Sequence, residues 1–164
     1  HFTETIQTIN AQFDVATELF ESGKVTEGEN IWRAQIIFLA GALDFYMHEL
    51  TKYGLCEIYN ENWERTDKYD NLQVNMKMIE IALKSGADID WFLEYINTYY
   101  QTITMVSYES VRDQLNLLGI NLGLVADRAF YQRGGTEKTR DKLKRRLNEL
   151  FSRRNIIAHV PWGS

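Results

Sequence analysis

Apolar side chains recur at helical spacing along nearly the whole chain. Between Thr3 and Ser22, the positions Ile6, Ile9, Phe13, Ala16, Leu19 and Phe20 follow one another at steps of three and four. That period predicts an amphipathic helix, stopped near Gly23. A second helix is expected over Glu29 to Tyr53, ended by Gly54. Its segment IIFLAGAL is apolar on every face, which marks a long central helix buried all round. It is too short to span a bilayer and is flanked by Arg33, Asp44 and His48. The polar run YNENWERTDKYDN reads as a loop.

A third helix is predicted over Leu72 to Lys84, ending at Gly86. DIDWFLEYINTYYQTI opens on aspartates that can cap a fourth. Ser107 can cap YESVRDQLNLLG, which stops at Gly119, and a short helix over LGLVADRAFYQ leads to Gly134-Gly135. Thr136 opens the last and most basic helix, TEKTRDKLKRRLNELFSRRNIIAH. ITMV is the one β-branched run and is too short to found a sheet. No internal repeat is evident, so the expected architecture is all-α: a compact single-domain helical bundle over residues 1–164.

Composition narrows the class. With 45% hydrophobic and 13% aromatic residues, 164 positions are enough to bury a substantial core. The lone Cys56 excludes an internal disulfide framework and fits a reducing cytoplasmic setting. Three histidines and one cysteine, scattered along the chain, exclude a Cys/His metal cluster. The opening HFTETIQTINAQFDV lacks both the basic flank and the apolar run of a signal peptide. No membrane segment and no cofactor are expected; the lack of an initiator Met leaves room for flanking segments.

Charge is unevenly spread. Residues 136–159 hold eight Lys or Arg against three acids, while the whole chain carries −5. A basic helix on an acidic protein points to an anionic ligand or an acidic partner. The plainer reading is a solvated face with cations favourably placed near a helix C-terminus.

At about 100° per residue, Leu143, Leu147, Leu150 and Phe151 form one apolar stripe, and Arg154 falls in its middle. A guanidinium stays charged, so burial without a partner is very costly. Arg154 must therefore reach an acidic partner, a subunit interface or a water-lined cleft, and the carboxylate of Asp44, amid GALDF, is the expected partner. Asn155 and His159 lie four apart and share a face, whereas Arg154 and His159 lie about 140° apart on a straight helix. They converge if the helix ends or bends before Pro161, which disfavours helical geometry at Val160. They also converge if two copies of the chain face each other across a two-fold axis. A metal site at Asp44, His48 and Glu49 is disfavoured, because a buried helix more often satisfies such residues internally.

The run RNIIAH, an arginine and a polar residue followed by three positions and a histidine, resembles the signature of the HEPN superfamily of small all-α domains. WRAQIIFLAGALDFYMHEL resembles the long second helix of those domains, including the acidic side chain at Asp44. SYESVRDQLNLLGINLGLVADRAF, followed by a long helix into RRNIIAH, is similar to the RiboL-PSP-like branch. In place of the glycine or polar residue usual after the histidine, Val160-Pro161 follows here.

The resemblance implies a metal-independent endoribonuclease, a toxin or anti-phage effector restrained by an antitoxin or sensor protein. Its active site would be composite, formed by two motifs in a homodimer. His159 would serve as general base or acid toward the ribose 2′-hydroxyl, Arg154 would stabilise charge on the phosphate, and Asn155 would position either group. Asp44 and Arg153 would support the site, and Lys144, Arg145 and Arg146 would track the RNA backbone. The alternative is a non-catalytic HEPN-like module for dimerisation or partner binding.

Overall fold

A computed structural model describes residues 2–86, 89–101 and 103–159. All regular structure among them is helical: α1 (Phe2–Glu21), α2 (Val25–Tyr59), α3 (Asp67–Asp70), α4 (Met76–Lys84), α5 (Ile89–Tyr100), α6 (Tyr108–Leu117), α7 (Leu122–Phe130) and α8 (Thr139–His159). The all-α expectation therefore holds for the described residues. None of these helices is long and apolar enough to cross a membrane.

The chain divides into two compact units, residues 1–46 with 144–164, and residues 47–143. The first unit contains α1, the opening half of α2 and most of α8. Ala16 and Ala40 are fully buried in it. Gln35 Nε2 ties the two helices by donating to the Ile9 carbonyl at 2.8 Å. The Phe20 and Trp32 rings pack at 4.6 Å between centroids, as do those of Phe2 and Tyr46. Phe151 is the buried anchor of α8.

The second unit is built round α5. Tyr59 stacks on Phe92 at 4.7 Å, and the series continues through Tyr95 to Tyr99. Leu55, Ile58, Ile96 and Met105 fill the space around it with almost no exposure. Three aromatic polar tips in this unit find partners. Trp91 Nε1 donates to Tyr59 Oη at 3.1 Å, Tyr95 to the Gln73 carbonyl at 2.9 Å, and Tyr100 to Gln114 Oε1 at 3.1 Å. Burial pushes the Tyr100 phenol well above its ordinary value.

Side-chain caps fix the helix starts. Thr66, Asn75, Ser107 and Asn121 each accept a hydrogen bond from a first-turn backbone N–H of α3, α4, α6 and α7. Ser107 acts as the sequence predicts. Asn75 moves the third predicted helix inward, from Leu72 to Met76. The expected aspartate cap at Asp88 lies outside the described residues, as do Val160 and Pro161.

Other features differ from expectation too, and α2 begins at Val25 rather than Glu29. The polar run after Tyr59 contains the short α3, the last helix begins at Thr139 rather than Thr136, and α2 continues through Gly54 to Tyr59. Gly54 is not a terminator. A Cβ there would meet Leu118 Cδ2 at 2.7 Å and Trp63 Cζ3 at 2.8 Å, so the glycine admits a close neighbour. Gly119, by contrast, takes φ +72° just past α6, the left-handed conformation that ends a helix.

Candidate functional site at the end of helix α8

The predicted apolar stripe of α8 faces inward. Phe151 is buried, and Leu143, Leu147 and Leu150 are half-buried. Arg154, in line with them, is half-buried too, while Arg153, Asn155 and His159 are exposed. The helical period thus carries a guanidinium to the margin of the core and leaves the other polar groups in solvent.

Arg154 Nη1 donates to Asn155 Oδ1 at 3.0 Å. The acceptor is therefore the adjacent amide rather than the Asp44 carboxylate expected from the sequence. Half-burial accounts for the difference: a guanidinium still open to water does not need a carboxylate to offset its desolvation. Asp44 itself is half-buried on α2.

α8 stays helical through His159, so no bend before that residue swings the imidazole toward Arg154. Arg154 and Asn155 come together, Asn155 and His159 share a face one turn apart, and Arg154 and His159 of one chain diverge.

The basic positions upstream behave in two ways. Arg145 and Arg146 reach Glu149, at 3.1 Å and 3.2 Å, and these bonds hold the Glu149 carboxyl below its ordinary value. Lys144 is exposed, as is Arg153, which has no hydrogen bond or ion pair among the described residues. Arg145 and Arg146 are thus shared with a carboxylate, and Arg153 lies next to Arg154.

Elsewhere in its own unit, His48 sets its ring edge-on to Tyr100 at 6.3 Å. Among the described residues no group of three or more His, Cys, Asp or Glu side chains gathers that could hold a metal ion.

A groove on the first unit has no signature in the sequence. A cavity of about 270 Å³ opens between α2 and α8, lined by Trp32, Arg33, Ile36, Arg153, Ile156 and Ile157 together with Glu29. Its residues are more than a hundred positions apart, so only the helix signal on each side was visible in advance. A second, apolar groove of about 650 Å³ lies between α1 and α2, with Phe38 and Phe45 more than half exposed along it. Comparison with family models, with curated proteins and with solved structures finds no match to this chain.

Proposed function

We propose that the chain is a metal-independent endoribonuclease of the HEPN type. The observation that carries the reading is the arrangement at the end of α8. An imidazole and an amide stand exposed on one face, and a guanidinium held at the core margin is hydrogen-bonded to that amide.

The chemistry follows from the groups. The imidazole of His159 takes the proton from a ribose 2′-hydroxyl, and the 2′-oxygen forms a bond to the adjacent phosphorus. The bond from phosphorus to the 5′-oxygen breaks, and that oxygen leaves with a proton from an acid, here a second imidazole. The products are a 2′,3′-cyclic phosphate and a 5′-hydroxyl end. The guanidinium of Arg154 stabilises the charge that builds on the phosphate oxygens, and Asn155 holds that guanidinium in place.

Because Arg154 and His159 diverge on one helix, the reading places two copies of α8 against each other, each supplying what the other lacks. Metal plays no part in these steps. A nuclease of this kind is a toxin or anti-phage effector held in check by a partner protein. Induced expression should then arrest bacterial growth, and His159→Ala should relieve the arrest at equal protein level. Arrest that persists in the variant contradicts the proposal.

A second reading, a non-catalytic module for dimerisation or partner binding, is favoured by the α1–α2 groove with its exposed Phe38 and Phe45. It predicts that His159→Ala leaves growth unchanged while Phe45→Glu abolishes association.

A further inference from the structure

We infer that the α2–α8 groove is a subsite for one unpaired nucleotide, its base stacked on Trp32 and its phosphate held by Arg153 and Arg33. The inference rests on the ribonuclease reading and specifies how the substrate strand lies on the protein.

The groove has the composition such a ligand requires. Trp32, Ile36, Ile156 and Ile157 give it an apolar floor. Trp32 packs one neighbour, Phe20, yet stays 44% exposed, which leaves indole surface for a planar ring. Base–aromatic stacking tolerates any base, because every base presents a π-face.

Two guanidiniums stand at the rim. Arg33 is held by Glu29 across 3.5 Å, both about half exposed, a loose pair that a phosphate can rearrange. Arg153 has no partner among the described residues and is free to fork onto phosphate oxygens. The volume, about 270 Å³, lies just under the ~300–1,000 Å³ of drug-sized ligand sites, which suits one nucleotide.

Position sets the role. At about 100° per residue, Arg153 and Ile157 lie on one flank of α8 and Asn155 and His159 on the other, and on the exposed side Ile156, which also lines the groove, falls between Arg153 and His159. The stacked nucleotide is therefore a neighbour of the one being cut. It anchors the strand and takes no part in the bond change.

The test is fluorescence anisotropy of a labelled 2′-O-methyl tetranucleotide, which cannot be cleaved, on the full chain at low salt. Arg153→Ala, an exposed position that leaves the fold intact, and Trp32→Ala, checked for folding by circular dichroism, should each weaken binding about tenfold or more. A tetramer of abasic residues should bind weakly and lose its dependence on Trp32. Unchanged binding in both variants, equal affinity for the abasic strand, or capture of a Glu-rich peptide in preference to the oligonucleotide overturns the subsite.

Cleavage by wild type and His159→Ala is scored separately. A protein that cleaves through His159 but binds independently of Trp32 and Arg153 loses only the subsite. One that binds through them and does not cleave loses only the ribonuclease reading.

Discussion

The aromatic core round α5 and the polar end of α8 use similar side-chain chemistry to opposite ends. In the first, every polar tip named above has an acceptor: Trp91 on Tyr59, Tyr95 on Gln73, and Tyr100 on Gln114. At the end of α8, His159 and Arg153 are exposed and without partners among the described residues, and Arg154 bonds only to its neighbour. Groups satisfied within the protein hold the fold, and on the proposed reading the groups left open at the end of α8 are the ones that meet the substrate. The contrast supports the proposal more than the residue types do, since arginine and histidine at a helix C-terminus are also what the helix dipole alone would favour.

The contrast can be broken by truncating one side chain in each region. Phe92→Ala, within the stacked series and 3% exposed, should cost about 3–5 kcal/mol of unfolding free energy. Ile156→Ala, 60% exposed beside the motif, should stay within about 0.5 kcal/mol of wild type in the same urea titration. Equal losses at the two sites would mean that the α8 end is structural after all.

A smaller effect is expected at Gly54. Adding one methyl there drives Cβ into Leu118 and Trp63, so Gly54→Ala should destabilise by about 1–3 kcal/mol despite its better helix propensity. Stabilisation by that change would show that the close approach has room to relax.

The smallest effect belongs to Glu149. Its carboxyl is depressed by Arg145 first and by Arg146, so its contribution is present above its unfolded value and is lost as pH falls through the lower folded one. Wild type should therefore lose slightly more stability than Glu149→Gln between neutral pH and pH values below about 4.3. The difference should fade in high salt, because all three side chains are exposed. A salt-independent gap would place the pair in a more shielded setting.

Much of this was legible in the order of residues. The three-and-four spacing located the helices, Ser107 and Gly119 bounded α6, and the angle of Arg154 placed it in line with the α8 stripe. What escaped depends on contacts distant in sequence. Gly54 reads as a stop by itself, and only Leu118 and Trp63 reveal it as a point of close packing. Asp44 is the expected partner of Arg154 because a carboxylate stands amid apolar GALDF and the guanidinium stands in an apolar stripe. The guanidinium proved accessible enough to be satisfied by Asn155. The four-residue α3 has no periodicity to detect, and the Trp32–Arg153 groove exists only once α2 and α8 are packed.

The most direct measurement uses purified protein and a single-stranded RNA in excess EDTA, with the ends of the products identified. The proposed chemistry predicts cleavage that leaves 2′,3′-cyclic phosphate and 5′-hydroxyl ends. It also predicts that 2′-O-methylation of the strand blocks cleavage, and that His159→Ala reduces it by about 10²- to 10⁴-fold. Cleavage that survives in the His159 variant, or that requires a divalent metal, would contradict it.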